Sequence, residues 1–129
     1  MTTLGILITA LLFGGMILYS FGFAAFVFSA LPSALAGQTL RRAFPHFYLF
    51  VLMTASLAAI VIWPKDGLSA TLLALVALTT LPTRQVLMPA INAATDASAK
   101  TRFNILHGIS VIITLAHIGL AGAVLARFA

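Results

Sequence analysis

Two histidines and several smaller polar residues interrupt the last apolar stretch of the chain, residues 101–128. On a helix that turns about 100° per residue, four of them fall within an arc of about 80°, and an asparagine borders that arc. Polar groups in hydrocarbon are costly unless they face protein or water, so we expect this stripe to face the interior of a helical bundle. The four are His107, Ser110, Thr114 and His117, and the bordering residue is Asn104.

Catalysis by this stripe is not expected from the sequence. Ser110 and His107 are neighbours at i and i+3 on the helix, but no orienting acid accompanies them. The carboxylates Asp66 and Asp96 lie in predicted connections between helices, and the chain has no cysteine. We therefore predict that the protein is not an enzyme and that the Ser110 hydroxyl donates to a carbonyl of its own helix.

Imidazole is a natural ligand of haem iron and of metal ions, and the chain has three histidines. His107 and His117 are about 15 Å apart along one helix, which is too far to share an ion. His46 and His107 each lie close to the same end of the bundle, so this pair is the predicted site for haem b or a metal ion. Two alternatives stay open: His107 bonds a neighbouring helix and stabilises the bundle, or the polar residues line a cavity for a small solute.

The elements that must position these residues are membrane helices. Of the 129 residues, 62% are hydrophobic and only 7% are charged, whereas a soluble domain carries about 25% charged residues. The seven Lys and Arg side chains lie at the edges of apolar runs, where they suit lipid headgroups, and they form no basic face for nucleic acid. Composition therefore predicts an integral membrane protein that contacts the lipid bilayer and binds no nucleic acid.

Four apolar stretches predict an all-α fold, an antiparallel up-down four-helix membrane bundle that forms one domain over residues 1–129. The first stretch is free of charge and too long for a signal peptide. Its small residues Gly15, Gly22 and Ser29 recur every seven positions, a seam where another helix could approach closely. The predicted helices cover about residues 3–31, 46–63, 68–88 and 102–128, and residues 33–45 are predicted to be an interfacial segment on the membrane surface.

An even number of spans places both chain termini on one side of the membrane. The opposite side carries five basic residues and the side of the termini carries two, so the positive-inside rule predicts non-cytoplasmic termini. We expect the membrane to be a bacterial inner membrane. The five are Lys100 and the four predicted to lie at lipid headgroups: Arg41, Arg42, Arg84 and Arg102.

Three blocks of sequence are characteristic: residues 14–16 leading to 40–48, then 86–93, and then 102–111 with its Arg-Phe pair followed by Leu-His and Ser. In these blocks the chain resembles the transmembrane protein 205-like family (domain of unknown function 4149). The resemblance implies a four-helix membrane protein, and a eukaryotic relative is linked to tolerance of platinum drugs. The chain departs from the family at Ala90, where a basic residue is frequent, and at Thr114, where an amide is frequent.

Two functions remain open from the sequence. In the first, a non-enzymatic membrane protein uses its polar, histidine-bearing interior to bind a metal ion, haem or a small solute, in tolerance or export. In the second, the chain is an accessory or assembly subunit that packs against a larger membrane complex and has no ligand of its own. Glycines of the first and last helices suit packing within the chain, in a homo-oligomer or against such a complex.

Overall fold

A computed structural model describes residues 2–129, and over this range the chain forms four long helices joined by short connections, with no strand. Each helix is long and apolar enough to cross a membrane. The predicted all-α class and four-helix membrane bundle are thereby confirmed. The helices are α1 (Thr3–Ala30), α2 (Ser33–Ile62), α3 (Gly67–Asp96) and α4 (Lys100–Ala126).

The four helices stand at the corners of an antiparallel bundle. α1 packs on α2, α2 on α3, α3 on α4 and α4 on α1, so α2 and α4 occupy diagonal corners. One end of the bundle, the terminal end, holds both termini and the turn at residues 63–66. The other end, the basic end, holds the connections at residues 31–32 and 97–99.

The core is formed by side chains that recur at helical spacing on all four helices. Large apolar side chains also cover the outside of the bundle, where the hydrocarbon of the membrane solvates them. Since lipid tails are as apolar as leucine, close packing and interhelical hydrogen bonds must hold the helices together. Fully buried members of the core are Leu12, Met16, Ala55, Ala58, Ile62, Leu73, Val76, Ala121 and Val124.

The start of α2 differs from the sequence prediction. A separate interfacial segment over residues 33–45 and a helix from residue 46 were expected, but one continuous helix begins at Ser33 and passes through Pro45. Two neighbouring helices bind backbone carbonyls near the proline: the Tyr19 hydroxyl donates to Ala43 (2.7 Å) and Arg84 Nε donates to Pro45 (3.2 Å). These tertiary hydrogen bonds tie α2 to α1 and α3 beside the proline.

α3 is also longer than predicted, since it ends at Asp96 instead of near residue 88. It passes two prolines, Pro82 and Pro89, through a π-helical stretch at Thr83–Leu87 that lies between them. The wider turn accommodates backbone that lacks the proline N–H groups. The connection to α4 is therefore only residues 97–99, with Ser98 in the left-handed region (φ 54°).

A second π-helical stretch, Leu18–Phe23, divides α1 into two halves. The first half, Thr3–Ile17, packs on both α2 and α4. The second half, Ala24–Ala30, makes its interhelical contacts chiefly with α2. Near the basic end, α4 is therefore left without α1 as a close neighbour.

Both carboxylate side chains of the protein are used to close an end of the bundle. At the basic end, Arg41 of α2 donates two hydrogen bonds to Asp96 of α3, at 2.6 and 2.9 Å. At the terminal end, Asp66 caps α3 by accepting from the Ser69 N–H (3.1 Å) and hydroxyl (2.6 Å). Arg127 then ties the chain terminus to Asp66 at 3.2 Å. Among residues 2–129, an ion pair thus joins sequence-distant segments at each end.

The terminal bridge predicts a loss of stability in acid. Hydrogen bonds from Ser69, with a smaller contribution from Arg127, hold the pKa of Asp66 at about 2, below its ordinary 3.8. A carboxyl group with a lowered folded-state pKa stabilises the fold above its unfolded pKa, and this stabilisation disappears as pH falls through the folded pKa. We expect the difference in thermal unfolding temperature between the native chain and Asp66→Asn to be full at pH 5 and to shrink toward pH 2. A difference that stays constant over this range would contradict the assignment.

A second prediction concerns a close approach of α1 and α2 at Gly5. A Cβ atom on Gly5 would lie 2.8 Å from Ile62 Cγ1, and Ile62 is fully buried, whereas a Cβ on Gly14 would meet no atom within 4 Å. We expect Gly5→Ala to lower the unfolding free energy by about 1–3 kcal/mol through overpacking. Gly14→Ala, on the same helix, should be neutral or slightly stabilising. Thermal unfolding of both variants in the same detergent checks this, and equal effects would rule out a tight contact at Gly5.

Candidate functional site

Three of the polar residues on α4 lie in the interior of the bundle. Ser110, Thr114 and His117 are 8%, 7% and 7% exposed, and Ala121 and Val124 continue the same buried face. The Ser110 hydroxyl donates to the His107 carbonyl at 2.6 Å, in agreement with the bond expected from the sequence. Its hydrogen-bonding capacity therefore serves the local backbone and not a neighbouring histidine.

The buried histidine forms a hydrogen bond between two helices. His117 Nε2 lies 2.7 Å from Thr79 Oγ1 of α3. The Thr79 hydroxyl is also 2.6 Å from the Leu75 carbonyl, to which it donates. The Thr79 oxygen therefore accepts from the Nε2–H group of His117. The bundle-stabilising role that the sequence suggested as an alternative for His107 is played by His117.

Asn104 and His107 are exposed, which differs from their predicted inward position. The physical reason is the path of α1, whose Ala24–Ala30 half packs on α2 and leaves this part of α4 uncovered. The His107 ring instead stacks on Phe103 of its own helix, with ring centroids 5.4 Å apart and an interplanar angle of 5°. We refer to the exposed face of α4 that is left without α1, and that carries Asn104 and His107, as the opening.

His46 is exposed on α2, next to the buried Phe47 and Tyr48. Because α2 and α4 stand at diagonal corners, the fold of one chain does not bring His46 and His107 into a shared interior site. Within residues 2–129, no three His, Cys, Asp or Glu residues are grouped to hold a metal ion. The proposal that these two histidines bind haem or a metal stays a prediction.

The basic residues take different positions near the basic end. Arg41 is paired with Asp96, and Arg84 reaches the Pro45 carbonyl. Arg42 and Arg102 are exposed. Thr79 and Tyr19, which bind across helices, were not singled out from the sequence, since their roles depend on how neighbouring helices are aligned. The sequence marks them only as polar groups within apolar stretches.

The fold and its lipid-facing surface define a helical integral membrane protein. Residues 7–100 match the family described as Domain of unknown function (DUF4149), and the chain therefore belongs to that family. No curated protein and no solved structure matches the chain. The family match ends where α4 begins, so the polar stripe and the block at residues 102–111 lie beyond the matched residues. The likeness to transmembrane protein 205-like proteins is a resemblance of sequence alone.

The interhelical hydrogen bond of His117 leads to a stability prediction. Thr79→Val removes the acceptor and leaves a buried imidazole N–H unpaired, which should cost about 0.6–1.7 kcal/mol in a membrane protein. Thr71→Val on the same helix is the matched control, since the Thr71 hydroxyl donates only to the Gly67 carbonyl. A double-mutant cycle with His117→Leu, measured by thermal unfolding, should give a coupling of the same size. Additive effects of the two substitutions would show that the bond contributes nothing.

Proposed function

We propose that the protein is a non-enzymatic accessory or assembly subunit that packs laterally against another membrane protein. The observation that carries this proposal is the opening beside α4 at the basic end. Asn104 and His107 lie there on the outside of the bundle, and their side chains are not covered by α1. Both residues lie near the edge of the hydrocarbon, and a protein partner that bonds them would remove them from contact with lipid.

The use of the interior polar groups supports the same proposal. His117 is bonded to Thr79, and Ser110 is bonded to its own helix. Both carboxylate side chains are held in ion pairs at the ends of the bundle, so neither is free to serve as a general acid or base. The interior groups therefore stabilise the fold, and recognition is left to the outer surface.

The outer surface of α4 also offers close approach to a partner helix. A Cβ atom on Gly108 or Gly119 would meet no atom of the chain within 4 Å. At Gly15 and Gly122, in contrast, the space beside the glycine is occupied by the rings of Phe50 and Phe13 from neighbouring helices. The chain therefore uses these two glycines for its own packing. Open glycines let two helix backbones come together and contribute van der Waals contact in a membrane.

The orientation that we propose places the basic end in the cytoplasm. The antiparallel helices put Arg41, Arg42, Arg84, Lys100 and Arg102 toward one end and Lys65 and Arg127 at the other. Such a bias in Lys and Arg favours cytoplasmic exposure of the richer end, with both termini on the non-cytoplasmic side of a bacterial inner membrane.

A second candidate function is the binding of haem, a metal ion or a small solute in tolerance or export. Its support is the His107 ring, which is exposed, so an imidazole nitrogen remains accessible to a ligand. His46 lies on a diagonal helix, so a second ligand would come from another chain or from the partner. His107 would then bind the metal or haem iron directly.

One experiment separates the two candidates. The chain is purified from its native membrane in a mild detergent, and its assemblies are measured by native mass spectrometry together with an absorbance spectrum and elemental analysis. If the chain is a subunit, it should be recovered in a stoichiometric complex that also contains another protein. The mass of that complex should then be neither 13.6 kDa nor a simple multiple of 13.6 kDa. The combined variant Asn104→Leu and His107→Leu should release the partner, and His46→Leu, which changes an exposed histidine on a diagonal helix, should retain it.

The other outcomes are equally informative. A Soret band or stoichiometric metal that is lost in both His46→Leu and His107→Leu would favour the second candidate. A colourless, metal-free monomer or simple oligomer would contradict the subunit role and the binding of haem or a metal ion. Circular dichroism of each variant checks that the helices are intact.

A further inference from the structure

A surface groove of about 560 Å³ opens beside the first turns of α4 at the basic end. Its walls change character along the helix: Lys100, Thr101 and Arg102 are polar, and Ile105 and Leu106 lie one turn further toward the middle of the bundle. Around a helix with about 100° per residue, Arg102, Ile105 and Leu106 lie about 100–160° from Asn104, whereas Lys100 lies within about 40° of it. The groove is therefore centred on a different face of α4 from the opening in which a partner subunit is proposed, and Lys100 borders both surfaces.

The cations of this groove have no carboxylate to neutralise them. Asp96, the acid closest to them in the chain, is bound by both guanidinium nitrogens of Arg41, and Asp66 is bound by Arg127 at the far end. Lys100 and Arg102 are exposed and take part in no ion pair among residues 2–129. The first turn of α4 also contains no acidic residue and has no side-chain cap. The polar part of the groove thus presents uncompensated positive charge.

The position of the groove relative to the hydrocarbon core of the membrane follows from the length of α4. A hydrocarbon core about 30 Å thick takes about 20 residues of helix. Counted from Arg127 at the terminal end, the hydrocarbon along α4 ends at about residue 107. Ile105 and Leu106 then lie at the edge of the hydrocarbon, and Lys100 and Arg102 lie about 6–10 Å beyond it, within the headgroup layer.

We propose that this groove binds an anionic phospholipid. The phosphate of the headgroup is held by Lys100 and Arg102, the free N–H groups of the first helical turn add to the positive field, and an acyl chain runs along Ile105 and Leu106. The order of polar and apolar walls matches the order of headgroup and acyl chain in the lipid. This proposal does not depend on the subunit role.

The test uses the full-length protein in an uncharged detergent and three probes: phosphatidylglycerol, phosphatidylcholine and inorganic phosphate. Phosphatidylglycerol should raise the unfolding temperature and remain bound in native mass spectra, and the other two should do neither at equal concentration. Lys100→Gln with Arg102→Gln should weaken the apparent affinity for phosphatidylglycerol about 30-fold, given about 1 kcal/mol per basic residue near the membrane surface. Lys65→Gln, which removes a charge at the terminal end, should keep the native affinity.

Three results would overturn the proposal. Equal retention of phosphatidylcholine would show that charge is not recognised, and an equal effect of inorganic phosphate would assign the site to a free anion. Undiminished affinity in the double variant would place the lipid elsewhere. Both side chains are exposed, so the double variant should retain the native unfolding temperature in the absence of lipid, and this measurement checks its fold.

Discussion

A polar group that lies within the hydrocarbon of a membrane must find a partner in protein, because hydrocarbon offers none. Here the two carboxylate side chains bind arginines at opposite ends of the bundle, and the buried His117 binds Thr79 between α3 and α4. These few bonds act together with close packing at Gly5, where α1 and α2 approach. The ion pairs at the ends are partly exposed, so close packing and the buried hydrogen bond in the middle of the bundle contribute most in a medium without a hydrophobic driving force between helices.

Because the interior polar groups are bonded within the fold, the chemistry that the interior can perform is limited. A site for catalysis or ligand exchange needs polar groups that are not already committed to the fold, and the interior groups of α4 are largely committed. The groups that remain available lie on the surface: Asn104 and His107 in the opening beside α1, and Lys100 and Arg102 in the groove at the start of α4. The start of α4 thus presents a surface suited to protein and a groove suited to lipid, and Lys100 borders both.

Much of the fold is predictable from the sequence because membrane helices depend on composition and length. The four spans and the inward spacing of Ser110, Thr114 and His117 follow from apolar runs and helical periodicity. The helix through Pro45 does not, since proline is expected to end a helix and the contacts near it come from Tyr19 and Arg84 of other helices. The exposure of His107 is also not predictable from the sequence of α4, because it depends on whether α1 packs against this part of α4. Composition and periodicity thus predict the helices, whereas the path through Pro45 and the exposure of His107 are set by contacts between helices.

The π-helical stretch Leu18–Phe23 shifts the sequence periodicity of α1 by one residue between its two halves. Because such a stretch contains the equivalent of one inserted residue, deleting a single residue there would restore a regular α-helix. Five α-helical residues turn the chain by about 500°, nearly the same angle as the six residues of the wider turn, so the Ala24–Ala30 half would keep its orientation and Val27 would stay buried. A family member that is one residue shorter at this point would therefore keep the same contacts of α1 with α2.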